Sequence, residues 1–186
     1  MTGRIEKIQK TYAVDVDWIA FPLHPETPDE GRSLEELFAG RPIDVPEMMR
    51  HLRQKAAELG LPFGDRTMTY NSRLVQELAE WAADKGREND FHRVVFRAYF
   101  SDGLNIGDPA VLVKLADAAG LSGDEARQVI EARTYRQAVD RDWDRAVRFG
   151  VTAVPTFMIR GKKLVGAQPT EVLERFLEEN GARRLK

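Results

Sequence analysis

The sequence contains no cysteine. That excludes disulfides, thiolate metal sites, iron–sulfur clusters and a cysteine nucleophile from these 186 residues. Histidine is scarce: His24, His51 and His92 are the whole set, and none is spaced as a metal cluster. A His-Glu-x-x-His zinc site, a Walker A loop and a Gly-x-Gly-x-x-Gly turn are all absent. An excess of one charge sign is lacking too. With 28 basic and 30 acidic residues the net charge is −2, which argues against nucleic acid or an anionic membrane as the main partner. No apolar run approaches the roughly 20 residues of a membrane span. The opening, Met1-Thr2-Gly3-Arg4-Ile5-Glu6-Lys7, turns charged at once and shows no secretory signal, so the cytoplasm is the expected location.

What is present is an ordinary globular balance, 42% hydrophobic and 31% charged. The length fits one domain, or a small core with an insertion. There is no internal repeat or low-complexity tract. Ile5 and Ile8 place a short helix over 3–11. Over 12–21, Tyr12, Val14, Val16 and Trp18 alternate with Ala13, Asp15 and Asp17 and grade into Ile19-Ala20-Phe21, which predicts a strand entering a core. Three prolines and a glycine make 22–33 a loop.

Apolar residues at helical spacing then predict helices over 45–59, 71–85, 88–101, 108–119, 122–132 and 134–149. Asp108-Pro109 supplies a cap and a first-turn proline, Ser122 and Glu125 form a capping box, and Gly86 follows a helix end. The period returns to two at Val154–Ile159. With the turn Arg160-Gly161-Lys162 and a short strand at Lys163–Val165, this predicts a hairpin over 155–165, followed by a helix over 169–180. Strand chemistry at both ends around an all-helical middle predicts an α/β core. The core is built from 1–26 and 150–186, with 27–149 inserted as a helical subdomain. A core–insert junction is where ligands prefer to bind.

Val154-Pro155-Thr156-Phe157 is the most informative stretch. Proline at a strand start removes a ladder donor, and X-Pro is the one cheap place for a cis bond. A cis bond would turn the N–H and C=O of Val154 toward a groove, where they can pair with an extended peptide. A trans proline that merely starts a strand is the plain alternative.

The segment Gly150–Lys162 resembles the cis-proline region of thioredoxin-fold proteins. Val165-Gly166-Ala167-Gln168-Pro169-Thr170-Glu171-Val172-Leu173 is similar to the end of the DsbA-like thioredoxin family, in its FrnE-like branch. That branch is related to 2-hydroxychromene-2-carboxylate isomerase and kappa-class glutathione transferase. Phe21–Pro28, Tyr70-Asn71-Ser72, Phe96–Phe100 and Ile106-Gly107-Asp108 extend the likeness from about residue 3 to the C-terminus. It implies a thioredoxin-like core with a large helical insertion. The first core strand and the Cys-x-x-Cys motif of the family have no counterpart, because the chain opens where the second half of the family's first helix would be. Their loss is expected to leave a gap between Val14–Phe21 and Pro155–Ile159. Two origins are expected: a start at an internal methionine with strand and motif upstream, or a complete chain whose redox chemistry is lost. The first is favoured, and strand exchange in a homodimer is another way to fill the gap.

The resemblance implies thiol–disulfide oxidoreduction or disulfide isomerisation as the family activity, with this chain unable to supply the sulfur. Two alternatives stand beside it: a non-catalytic module that binds peptide or glutathione, and a glutathione-dependent isomerase whose Ser motif lies upstream of Met1. The expected partner is a peptide or protein thiol or disulfide, or glutathione as co-substrate. No other cofactor, no metal, no nucleic acid and no membrane are expected. Candidate binding residues are Val154, Pro155, Thr156, His24, Asn71 and Gln168, with no catalytic residue assigned.

Plainer roles compete with these. His24 has no carboxylate at fixed spacing and reads as a solvated loop residue. His51 and His92 read as surface residues. Asn71 and Ser72 read first as caps. Trp18, Trp81 and Trp143 read as core. Gly166–Pro169 precedes a helix whose N–H groups can hold a carboxylate, or is a plain loop. The basic run Arg160, Lys162, Lys163 reads as a solvated hairpin tip, and Arg183–Lys186 as a frayed tail.

Overall fold

The computed structural model describes residues 2–185. In chain order the elements are α1 (Thr2–Thr11), β1 (Arg32–Ser33), α2 (Leu34–Leu37), α3 (Val45–Glu58), β2 (Met68–Thr69), α4 (Arg73–Asp84), α5 (Glu88–Phe100), α6 (Pro109–Ala118), α7 (Gly123–Ala132), α8 (Arg136–Arg148), β3 (Thr156–Ile159), β4 (Lys162–Val165) and α9 (Thr170–Glu179). The chain divides into two compact units, one of Met1–Leu23 with Arg141–Lys186 and one of His24–Asp140. The boundaries thus fall at 23/24 and, inside α8, at 140/141.

The first unit is mixed α/β. Ile5 and Ile8 on α1, and Tyr12 just past its end, recur at helical spacing and are buried. Ile8, Tyr12 and Leu173 of α9 form its buried cluster, with Val14, Phe157, Leu164 and Leu177 packed against it. The Tyr12 hydroxyl donates to Glu178 Oε1 at 2.6 Å, so the one polar atom of a side chain that is 1% exposed is satisfied. β3 and β4 form an antiparallel hairpin in the register Thr156↔Val165 to Ile159↔Lys162. Arg160 and Gly161 both have positive φ, 49° and 79°, as a two-residue turn matched to strand twist requires.

Three expectations need correction here. Residues 14–22 form neither helix nor strand, yet the side chains from 13 to 20 alternate: Val14, Val16, Trp18 and Ala20 are half-buried, while Ala13, Asp15, Asp17 and Ile19 are exposed. No strand forms, however, because no neighbouring strand among the described residues bonds to them. The tail is not frayed through residue 185. Tyr12 bridges Arg184, Ala13 N donates to Arg183 O at 2.8 Å, and Leu185 N donates to Thr11 O at 2.8 Å; Lys186 lies outside the described residues. Lys163 is not simply solvated. Its ammonium donates to Phe149 O at 2.8 Å and Gly150 O at 3.2 Å, carbonyls just past the C-terminus of α8 where a cation is favoured.

The second unit is helical apart from the two-residue pair β1–β2. α4 carries Val75, Leu78, Trp81 and Ala82 on one face, closed against Phe91 of α5, Leu112 and Ala116 of α6 and Ala126 of α7. Each such large side chain contributes about 1.5–3 kcal/mol on burial. Gly86, just past α4, has φ 68°, where a Cβ would be strained. Residue 33 is more than a loop end: Ser33 and Glu36 form a reciprocal capping box that opens α2. At α7 the Ser122 hydroxyl accepts from Glu125 N at 3.3 Å. Trp81 is core at 2% exposure, whereas Trp18 and Trp143 of the first unit are half-buried.

Glu77 stands out as a charge that is 2% exposed. Arg133 grips it with two bonds, Nε to Oε2 at 2.8 Å and Nη2 to Oε1 at 2.7 Å, and Arg73 Nε adds a third at 2.7 Å. Arg73 also donates to Arg136 O and Asp140 Oδ1, both at 2.7 Å, so α4 is tied to the first turns of α8. Burial would raise the Glu77 pKa, but the bonds from Arg133 and Arg73 outweigh it and hold the carboxyl below its usual range.

His92 also departs from the surface reading. Its ring stacks on Phe96 at 5.8 Å, and burial pushes its pKa down to about 4, so the imidazole is neutral near pH 7. His51 is exposed as expected.

Glu77→Ala removes the carboxylate shared by Arg73 and Arg133 and leaves Arg73 with the half-exposed Asp140. It is expected to cost about 2–4 kcal/mol in urea unfolding, less than a fully dry pair because Arg133 is partly solvated. Acid sensitivity follows from linkage. Between pH 6.5 and about 4 the unfolded state takes a proton at His92 that the folded state refuses, so stability falls as pH drops through that window. The loss is expected to reach at most about 3 kcal/mol. In unfolding curves measured from pH 7 to pH 4, His92→Phe should flatten this slope. The loss that remains should be that of the carboxyls held below their usual range, buried Glu77 and, nearer the surface, Glu36, Glu58 and Asp90, as they protonate in the unfolded chain.

Candidate functional site

The residues expected to bind substrate fall into the two units, four in the first and two in the second. In the first unit, Val154 lies in the loop between α8 and β3 and is 46% exposed. Among the described residues neither its N–H nor its C=O has a hydrogen-bond partner. The Val154–Pro155 peptide bond is cis. The loop around it is held from both sides: Thr156 Oγ1 donates to Ala153 O at 2.6 Å, and Pro155 O accepts from Gly166 N at 2.8 Å. Val165, the cross-strand partner of Thr156, is 51% exposed and gives the loop an apolar neighbour.

Gln168 is brought to the same hairpin end, in a supporting role. Its carboxamide nitrogen donates to Val165 O at 2.8 Å and its N–H to Gly166 O at 2.9 Å. Its carbonyl accepts from Arg4 Nη1 at 2.7 Å. Val154 therefore offers free main-chain groups, while Pro155, Thr156 and Gln168 fix the backbone that presents them. Arg4 and Lys163 belong to the same framework. Sequence reasoning missed both, because their partners are carbonyls that leave no mark in a residue pattern.

In the second unit, His24 and Asn71 are brought together through Thr27. Thr27 N donates to His24 O at 3.1 Å, and Asn71 Nδ2 donates to Thr27 O at 2.7 Å. Asn71 is spent on structure, since its other end accepts from Arg73 N at 2.9 Å. That also corrects the capping expectation. Ser72 makes no side-chain cap bond at α4, and the oxygen that receives a first-turn N–H is that of Asn71. His24 does have a carboxylate neighbour, Glu26, with Nδ1 to Oε1 at 3.7 Å. A member of this cluster that the sequence did not single out is Thr27. It is 2% exposed, and its hydroxyl finds no acceptor or donor among the described residues.

Among the described residues there is no group of three or more His, Cys, Asp or Glu side chains placed to hold a metal ion. No described helix is long and apolar enough to cross a membrane. The arrangement in the first unit can bind an extended backbone by its own backbone. Nucleophilic sulfur is not available within these residues.

Comparison with known proteins agrees with this architecture. The family described as DsbA-like thioredoxin domain matches residues 1–178. The uncharacterised protein YwbO of Bacillus subtilis (strain 168) is 27% identical over 180 residues, covering 94% of this chain and 86% of that protein. The structure of a probable DsbA oxidoreductase from Streptomyces coelicolor superposes with a TM-score of 0.87 at 27% identity, covering 98% of this chain and 85% of that one. A putative protein disulfide isomerase from Nitrosomonas europaea shares the fold, with a TM-score of 0.58 and 16% identity over 73% of this chain and 74% of its own. A thioredoxin-like α/β unit, a helical insertion in mid-chain and a family match over nearly the whole length establish that the chain belongs to the DsbA-like thioredoxin domain family.

Proposed function

We propose that residues 1–186 dock an extended thiol- or disulfide-bearing substrate, a protein segment or glutathione, at the Val154–Pro155 loop, and that the sulfur chemistry belongs to a thiolate not among these residues. The observation that carries this reading is the pair of unpartnered main-chain groups on exposed Val154. An N–H and a C=O on one residue, fixed by a supported loop, match the bonding pattern of one residue in an added strand. Thiol–disulfide exchange needs substrate sulfur held in line with an attacking thiolate, and a main-chain clamp beside the bond orders it without reading side chains.

Membership in a DsbA-like family supports the substrate class. The finer placement in a FrnE-like branch, and disulfide isomerisation as the net reaction, belong to this same proposal.

Calorimetric titration of the full chain with reduced glutathione is expected to show saturable binding in the millimolar range. Thr156→Val removes the bond that pins the loop to Ala153 and should weaken binding by about 2–10-fold. The thermal transition of the variant should stay close to that of the parent, which separates loop positioning from unfolding. Absence of heat at millimolar glutathione, or an unaltered affinity in Thr156→Val, counts against the loop as the docking site. In an insulin-reduction assay the chain should give no turnover, because it holds no cysteine.

A further inference from the structure

Arg66 carries a charge that the second unit leaves unmatched. It lies in the segment between α3 and β2 and is half-buried. Its Nη1 donates to the Tyr99 hydroxyl, and to Met68 O at 3.3 Å. The Tyr99 hydroxyl lies 3.0 Å from Thr69 Oγ1, and Thr69 is buried, so this side of the guanidinium is fixed by the fold. The opposite edge is open. Nε is buried and meets no acceptor among the described residues, and Nη2, on the same edge, makes no hydrogen bond with them either. No described carboxylate pairs with Arg66, because its neighbour in sequence, Asp65, faces Arg53 instead. A buried donor without an acceptor is costly, and Nε with Nη2 is an edge that grips a carboxylate by two parallel bonds.

The surroundings of this guanidinium are aromatic. Its Cζ lies 4.5 Å from the centre of the Tyr99 ring and 5.5 Å from that of Phe100. Phe63 stacks on Phe100 at 6.1 Å, and Phe96, one turn back on α5, stands 6.2 Å from it. Gly64 N donates to Phe100 O at 2.9 Å, which keeps the segment of Phe63 and Arg66 against the end of α5. Phe63 and Phe100 are half-buried and Phe96 is 36% exposed, so these rings keep an apolar surface toward solvent. One cation beside an apolar ladder sets two requirements on a ligand. The charge is single, since Arg53 is spent on Asp65, and that favours a carboxylate over a phosphate dianion. The remainder is apolar and flexible. Phe63 is inclined by 23° and Phe96 by 46° to Phe100, so a flat ring cannot stack on all three, whereas an alkyl chain can follow them.

We propose that Arg66 and the rings of Phe63, Phe100 and Phe96 form a binding site for a linear aliphatic monocarboxylate. The carboxylate takes the Nε–Nη2 edge of Arg66, and the alkyl chain lies along the rings. Tyr99 and Met68 hold Nη1 and so aim the open edge. The site lies wholly within the second unit, uses none of the Val154 loop and does not rest on the docking function given above.

The test is a titration of the full isotope-labelled chain with sodium octanoate, followed by the arginine Nε–H resonances. The Arg66 Nε–H signal, identified by its absence in Arg66→Lys, is expected to shift and saturate. Octanol has the same chain without the charge, and acetate has the charge without the chain. Each should bind at least about tenfold more weakly than octanoate. Arg66→Lys keeps the charge but loses the two-donor edge, and should weaken octanoate by about 5–20-fold. Phe96→Ala trims an exposed ring and should weaken it by about 2–10-fold, with a thermal transition close to that of the parent. The proposal is overturned if the Nε–H signal does not move at millimolar octanoate, or if octanol binds as tightly. It is equally overturned if Arg66→Lys, folded by its thermal transition, or Phe96→Ala binds octanoate as the parent does. Should Arg66→Lys fail to fold, the comparison of octanoate with octanol and the Phe96→Ala affinity decide the matter on the same terms.

Discussion

Tyr12 is the point on which the first unit turns. It follows directly on α1 in line with the buried face of Ile5 and Ile8, and its ring fills the small cluster with Ile8 and Leu173. Its hydroxyl holds Glu178 of α9, its backbone bridges Arg184, and the Arg184 guanidinium lies over its ring at 5.5 Å. One residue thereby joins the first helix, the last helix and the C-terminal segment, and launches the stretch that follows. The rest of the unit follows from that anchor. The hairpin β3–β4 packs on the same cluster through Phe157 and Leu164, and the Val154 loop is presented at the entry to that hairpin. A cluster this small leaves little reserve, so each tether around it matters more than it would in a deep core.

The second unit is stabilised on different terms. Its helices bury a continuous apolar face, and its one buried carboxylate is matched by two arginines rather than left alone. Burying Glu77 costs desolvation, and the three charge-assisted bonds offset it while fixing the angle between α4 and the α7–α8 turn. The polar cluster of His24, Thr27 and Asn71 works on the same principle at smaller scale, with side-chain amides doing what a sheet ladder would otherwise do.

Periodicity made the helices legible in the sequence, and the caps Asp108 and Ser122 sharpened two of their starts. Gly-containing turn chemistry did the same for the hairpin. The reading failed where pattern and partner come apart. Alternation at 13–20 reports two faces of a backbone, and it says nothing of whether a neighbour exists to bond with. Lys163 and Arg184 read as solvent-facing charge because their partners are carbonyls and a carboxylate ten or more residues away, and Arg183 read as frayed because what holds it is its own carbonyl, which accepts from Ala13 N. His92 read as surface because an aromatic four residues on, Phe96, covers it, and a helical wheel of polar neighbours hides that. At the candidate site, Val154 was legible from Pro155 and its setting. That Asn71 and Gln168 spend their amides on the fold could only come from coordinates.

The bond from Tyr12 to Glu178 spans 166 positions of sequence. The helical unit lies wholly inside that span, and its contacts join neighbours such as α4 with α5 and α6 with α7. On a ribosome, therefore, the inner unit has all its parts while the outer one still lacks its C-terminal half. Domains complete during synthesis fold as they emerge, and ring closure over so long a loop comes last. Until α9 and residues 183–185 arrive, α1 and the stretch after it wait with Ile8, Tyr12 and Val14 uncovered. During that interval the nascent chain depends most on being shielded from its neighbours.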